Sequence, residues 1–321
     1  MHELLLNCED ANRRKEVVEH LNSNPHEFEQ LVDTIFSESD MGYSDEKRIV
    51  LNLVDLLVPR LSIGIIERAI QDPVPKIRVR GLQAMYRGGF DSFNPKVLEM
   101  LEDTSESFEV RKWAIHILGR TDPRGYGRVL RGIMKDSAID IRLRKEAIFA
   151  LTNEPSDTTV GALCMLLGNS SVEVRQSGAW ALGRIGGEDA VNCLLASLED
   201  EDEVVRDWAI RGLRDSDNTR ALQGLADAMI SVDSEYQEQF IRLVVEKRSE
   251  IILRAIAELL ESQNAGVRRT AAWAMGVTPY PPAAGTLEKL LADDDEQVQQ
   301  YAKRALERMG HLDPSDFGLI I

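Results

Sequence analysis

Histidine and cysteine are scarce in this 321-residue chain, and their scarcity narrows the chemistry first. The five histidines (His2, His20, His26, His116, His311) never fall in pairs at metal-ligand helical spacing, which argues against a zinc or iron centre. The three cysteines (Cys8, Cys164, Cys193) have no accompanying histidine to make a nucleophile. An odd number, with Cys164 and Cys193 inside apolar helical runs such as Ala162-Leu163-Cys164-Met165-Leu166-Leu167, predicts free, reduced, buried thiols and a cytoplasmic protein. Long apolar runs are missing too: no window approaches 18 uninterrupted apolar residues, so no membrane span is expected. The first ten residues carry only Leu4-Leu5-Leu6 followed by acid, and no signal peptide is expected there. Positive charge is in short supply, with 38 Lys and Arg against 54 Asp and Glu, a net charge of −16 and a pI near 4.9. Such a chain repels nucleic acid and anionic membrane at long range, although a local basic surface is compatible with it. Neither a Gly-x-x-x-x-Gly-Lys-Ser/Thr phosphate loop nor a Gly-x-Ser-x-Gly elbow occurs, and Gly88-Gly89 and Gly186-Gly187 read as helix ends. The expectation is a protein that is not an enzyme and holds no cofactor or metal.

What the chain does have is a period. An aliphatic anchor, usually followed by Arg, then a small residue at the fourth position and small-aliphatic-Gly at the end, recurs as Val110-Arg111-Lys112-Trp113-Ala114-Ile115-His116-Ile117-Leu118-Gly119. It recurs again as Val174-Arg175-Gln176-Ser177-Gly178-Ala179-Trp180-Ala181-Leu182-Gly183. Further anchors are Ile77, Leu143, Val205, Tyr236 (degenerate), Val267 and Val298, so the spacing is 33, 33 and then 31 throughout. A 31-residue unit holds two helices and two turns, the size of an α-solenoid repeat. The fold class expected is all-α, a superhelical solenoid of about eight to nine helical hairpins. Between the helices lie acidic or amide turns, among them Asp72-Pro73, Asn169 to Ser171, Asp200 to Glu203 and Asp293 to Glu296. They suit the N-cap and first turn of the second helix, where unpaired N–H groups favour anions. Gly119, Gly186-Gly187 and Gly276 are read as C-caps, and the prolines at 279, 281 and 282 as a firm break that kinks the stack.

The Val-Arg-x-x-Ala-x-x-Ala-Leu-Gly signature resembles the HEAT-like repeats of the phycobilin-lyase type. The resemblance covers residues 61–310 and extends weakly to a copy at Glu46 to Val54. It divides the chain into a helical cap at 1–60 with a degenerate first repeat, an array at 61–310 and a C-terminal tail at 311–321. In related repeats the arginine after the anchor pairs with the acidic turn, which makes Asp200 and Asp293 the expected partners. Such repeats occur in scaffolds, lyase subunits, a metal-dependent hydroxylase and some DNA glycosylases. The hydroxylases carry repeated His-Glu pairs; here the nearest candidates are His26-Glu27, outside the clear array, and Lys145-Glu146, with lysine in place of histidine.

With the anchor numbered zero, positions 0, 4, 5 and 8 share one side of the second helix at 100° per residue. Position 5 reads Leu82, Ile115, Ile148, Ala179, Ile210, Ile241, Ala272 and Lys303, which marks the core side. Positions 2, 6 and 9 lie opposite, with 3 at the edge. Solenoids of the resembled type turn this face to the concave side. Position 6 reads Gln83, His116, Phe149, Trp180, Arg211, Arg242, Trp273 and Arg304, and position 3 adds Trp113, Trp208 and Tyr301. Aromatic rings and arginine exposed together have the composition of interface hot spots. The candidate partner-binding residues are Trp180, Trp273, Phe149, Arg211, Arg242, His116, Trp113 and Trp208; the plainer alternative is that the tryptophans only seal the grooves between repeats. The leading reading is a monomeric scaffold or adaptor for a protein or peptide. Two alternatives stand beside it: a nucleic-acid-binding protein of the DNA-glycosylase kind, which the net charge opposes, and a bilin lyase subunit.

Overall fold

The structure, a computed structural model, describes residues 2–7, 11–37 and 44–312. Cys8 and the part of the expected tail beyond Leu312 lie outside the described residues. Those residues form 20 α-helices with short 3-10 turns and no strand, an all-α solenoid. Two compact units divide at Glu154 and Pro155.

The first unit opens with helices His2–Leu6 and Ala11–Ser23 and continues as four hairpins. These are Pro25–Ser37 with Ser44–Leu53, Pro59–Ile70 with Pro75–Gly88, Asn94–Glu102 with Phe108–Thr121, and Pro123–Lys135 with Ile141–Leu151. The second unit is five hairpins: Asp157–Leu166 with Val172–Ile185, Glu188–Ala196 with Glu203–Asp215, Thr219–Ser231 with Ser234–Val244, Glu250–Glu258 with Ala265–Val277, and Ala284–Leu290 with Glu296–Met309. Every anchor from Ile77 to Val298 is buried, as is position 5 in all repeats except at the half-buried Lys303. A helix this short is marginal alone, so the buried stripe is what keeps it helical.

The turns are built by a recurring division of labour. In Asp200-Glu201-Asp202 the second aspartate caps the following helix by accepting from Val205 N at 3.0 Å. The first folds the turn by accepting from Asp202 N at 2.9 Å and holds Arg175 of the preceding repeat in two bonds of 2.9 and 3.1 Å. Asp293-Asp294-Asp295 repeats this arrangement, with Arg268 donating to Asp293 at 2.8 and 2.9 Å and Asp295 capping at Val298 N. The arginines also donate to the carbonyls that end their own first helix, Arg175 to Asn169 O at 3.0 Å and Arg268 to Ser262 O at 2.9 Å. Both pairings expected at the sequence level are therefore present. The degenerate copy at Glu46 keeps the bond with another cation: Lys47, one residue past that anchor, donates to Asp72 at 2.7 Å, and both side chains are almost wholly buried. Arg111 and Arg144 reach the carbonyls of Leu101 and Met134 instead, and 25 residues past Arg144, where Arg175 and Arg268 meet an aspartate, stands Asn169.

Two sequence-level expectations are corrected. Gly119 and Gly276 are not C-caps; each is buried inside its second helix, where the next repeat's helix approaches. A Cβ on Gly119 would lie 2.6 Å from Ala150 Cβ, and one on Gly183 would lie 2.9 Å from Gly212 Cα. The terminal glycine of the signature is thus a contact point between successive second helices, whereas Gly186, at φ 70°, does end its helix. The prolines after Val277 end the helix and form a 3-10 turn, and a Cβ on Gly276 would sit 3.8 Å from Ala305 Cα. Finally, Cys164 and Cys193 are neither free nor fully buried. They form a disulfide, Cα to Cα 5.7 Å, that joins the first helices of successive repeats. Gly183 and Gly212 bring together the second helices of those same two repeats.

Candidate functional site: the outward face of the second helices

Position 6 turns away from the buried stripe, and none of its eight residues is buried. Phe149, Arg211, Arg242 and Arg304 are exposed; Gln83, His116, Trp180 and Trp273 are half-buried. The four tryptophans share that intermediate state, so each covers part of a groove and presents part of its ring.

In the first unit the rings meet. Tyr86, Trp113, His116 and Phe149 form a ladder over three second helices, with centroid distances of 5.7, 5.6 and 6.4 Å. Two are edge-on contacts, the geometry aromatic quadrupoles favour. The ladder is braced at its Tyr86 end and at its His116 rung. The Arg120 guanidinium lies 3.7 Å over the Tyr86 ring and donates to the Tyr86 carbonyl. His116 Nε2 is 2.7 Å from Glu146 Oε2, which fixes the imidazole plane between the two helices. The exposed end is Phe149, with half its surface open at 51%. Trp113, His116 and Phe149 are thus brought together, and Trp113 serves partly as the groove seal that the sequence left as an alternative.

Tyr86 and Glu146 were not among the residues expected at the site. Tyr86 occupies position 9, where three repeats carry glycine, and Glu146 occupies position 3, where the eye is drawn to tryptophan. A tabulation of position 3 against the preceding position 6 would have paired Glu146 with His116.

In the second unit the face is a row rather than a ladder. Trp180 packs under the guanidinium of Arg184, 5.7 Å from the ring centroid. Arg211 is exposed on Glu203–Asp215, beside the half-buried Trp208 of the same helix. Arg242 is 3.6 Å from Glu238, which also lies 3.7 Å from Arg269. Asp207 accepts from the Tyr236 hydroxyl at 3.2 Å and from Gln239 at 3.1 Å. Burial, the leading cause, pushes the Tyr236 hydroxyl up to about 12, so it stays a donor at neutral pH. Trp273 forms one wall of a groove of about 380 Å³ whose other wall carries Tyr301 and Arg304. The expected residues of this unit therefore occupy one face on successive helices.

Chemically, the face offers planar apolar surfaces and guanidinium donors. Among the described residues no three His, Cys, Asp or Glu side chains converge as a metal site would require. No helix among them is long and apolar enough to cross a membrane.

Comparison with known proteins agrees with the architecture. The chain matches the description of HEAT repeats over residues 138–214 and 221–307. No curated protein sequence matches it. Among solved structures it is similar to Kap95p in the Kap95:Nup1 complex, at 12% identity and a TM-score of 0.63, over 96% of this chain and 50% of that one. It is also similar to Kap95p with RanGDP, at 13% identity and a TM-score of 0.59, over 96% and 49%. Importin beta in an ammonium sulfate condition matches at 14% identity and a TM-score of 0.55, over 97% and 51%. The chain spans about half the length of these three, and at such identities the likeness is one of fold.

Proposed function

The chain belongs to the HEAT-repeat family, and on that premise we propose that it is a non-catalytic scaffold that binds a protein or peptide partner on the outward face of its second helices. The observation that carries this reading is position 6, unburied in every repeat while its neighbour at position 5 is core in all but the last, at Lys303. Beyond the part of its rings that seals grooves, this face keeps exposed surface at Phe149, Arg211, Arg242 and Arg304. Tyrosine and tryptophan give large contact areas with few torsions to freeze, and arginine adds a planar fork of donors. The braced ladder ending at Phe149 is already ordered, which lowers the entropic cost of docking against it. Two of the structures of similar fold are of Kap95p with protein partners, Nup1 and RanGDP, which suits the reading without naming a partner here.

The test is affinity capture from the native cell extract with wild type, Phe149→Ala and Trp180→Ala/Trp273→Ala, followed by calorimetric titration of the purified captured protein. Binding weakened about tenfold or more in a variant, roughly 1.4 kcal/mol, supports the assignment. Equal retention by all three chains, or retention abolished by nuclease, overturns it.

A further inference from the structure

The outward face continues past the Tyr86 end of the ladder. Counted from Glu46, 31 residues before the anchor Ile77, positions 2, 6 and 9 of the degenerate repeat are Arg48, Asn52 and Asp55. These three line a cavity of about 560 Å³ whose lining also includes the buried Ile49 and Leu53. Arg87, which follows Tyr86 in the chain, lines it from helix Pro75–Gly88, and Arg14 lines it from helix Ala11–Ser23. Three helices thus bring three guanidinium groups to one cavity, against one lining carboxylate, in a chain whose net charge is −16.

The carboxylates nearby leave that charge largely on offer. Asp55 lies 2.9 Å from Arg87 Nε, and Arg87 Nη2 donates to Leu51 O at 3.4 Å, so this guanidinium is held in place while 46% of its side chain stays open. Arg48 is 33% open and 3.4 Å from Asp45, which is itself 80% open to water and so a weak competitor. Arg14 is exposed. The cavity is therefore electropositive and reached from solvent, with one planar fork of donors fixed in advance.

We infer that this cavity receives a phosphate monoester, carried on a peptide whose flanking side chains lie along the ladder from Tyr86 to Phe149. The inference rests on the scaffold reading and names the chemistry that a partner presents at this end of the face. Charge selects the group. A phosphate monoester carries about −1.5 to −2 at neutral pH and three acceptor oxygens, enough for forks that arrive from three helices. A carboxylate brings a single charge, which Asp55 already supplies to Arg87. Confinement selects the carrier. A nucleic-acid strand needs cations repeated along its successive phosphates, whereas the ladder beyond this cavity presents rings and the Glu146 carboxylate. A peptide needs one anionic group beside a flat apolar surface, and Tyr86, one residue from Arg87, begins that surface.

The test uses the full chain with 15N-labelled arginine and phenyl phosphate as the probe. Substituting Arg14, Arg48 and Arg87 by lysine, one at a time, identifies their Nε–H signals. The three signals should shift together along one binding curve; if they stay in place, the proposal is overturned. In Arg14→Gln/Arg48→Gln the Arg87 signal should need about tenfold more phenyl phosphate to shift, and an unchanged curve overturns the proposal too. Arg87 is left in place in that variant because its bonds to Asp55 and Leu51 also hold the turn. Asp55→Asn takes away the competing carboxylate and should tighten phenyl phosphate about threefold, a gain that a damaged fold does not give. The carrier is read from a degenerate peptide library with one fixed phosphoserine, compared with the same library carrying serine. Retention of the phosphoserine library about tenfold or more above the other, lost in Arg14→Gln/Arg48→Gln, supports the proposal. Equal retention of both libraries, lost in Phe149→Ala, overturns the phosphate site and leaves the scaffold reading standing. Phenyl phosphate bound at the three arginines, with neither library retained, overturns the peptide carrier and the scaffold reading together.

Discussion

Arg268 and Asp293 face each other in a forked pair, Nε to Oδ2 at 2.8 Å and Nη2 to Oδ1 at 2.9 Å, across the junction between the last two repeats. The same guanidinium caps the carbonyls of Ser262 and Gln263, so one side chain closes its own hairpin and fastens the next. Hydrogen bonds from Arg268 hold the Asp293 carboxyl below its ordinary range. A carboxyl depressed on folding contributes stability above its unfolded value, near 3.9, and loses it as pH falls through the folded value. Arg268→Met should therefore cost about 2 kcal/mol at neutral pH. The deficit should shrink below about pH 4, as urea midpoints for both chains at pH 7 and pH 3 will reveal.

Lys47 and Asp72 make the equivalent bond in a drier place, with side-chain exposures of 3% and 0%. Asp72→Ala takes the facing carboxylate from a buried ammonium and should cost about 3 kcal/mol. The double variant Lys47→Met/Asp72→Asn removes both charges and retains an acceptor for Val74 N, which Asp72 now bonds at 2.8 Å. It should recover most of the loss in the same denaturation assay.

Two glycines in the second unit should respond oppositely to alanine. A Cβ on Gly212 would lie 2.6 Å from Gly183 Cα and 2.9 Å from Leu194 Cδ1, so the helices must separate, at about 1–3 kcal/mol. Gly161, exposed in helix Asp157–Leu166, has nothing within 4 Å of the new carbon. There alanine should stabilise by up to about 1 kcal/mol. Thermal melts that moved in the same direction would refute the close approach of the second helices.

The legibility of this fold was uneven for physical reasons. The anchors stood out because one buried aliphatic and one turn-closing cation must recur wherever a hairpin is stacked on another. Outward positions followed from the helical angle alone, so Phe149, Trp180 and Arg211 fall where that angle puts them. Contacts between repeats were harder to read. Gly119 sits two residues from its helix end, and a glycine so placed looks the same in sequence whether it caps a helix or admits a neighbour. The Cys164–Cys193 pairing was hidden by the apolar runs around both residues, which read as buried core; their separation of 29, close to the repeat length, was the available sign that they lie on equivalent first helices. That Tyr86, Trp113 and His116 meet depends on side-chain torsions and inter-helix offsets that no periodicity encodes.

The disulfide closes a 29-residue loop, which on chain-entropy grounds is worth about 3 kcal/mol. Cys193→Ser should lose that much in oxidising buffer and match wild type once reductant is present. Titration of the denatured, unreduced wild-type chain should find one reactive thiol among its three cysteines; three would show the pair open.

The same bridge has a mechanical consequence. When the chain is stretched from its ends, tension passes through the sulfur atoms and bypasses the backbone between Cys164 and Cys193, so about 100 Å of contour length is withheld from extension. Helix Val172–Ile185 lies inside that shielded stretch. Trp180 therefore rides on the one part of the second unit that load cannot unravel while the bond holds, and a partner anchored there would keep its grip after neighbouring repeats had begun to yield.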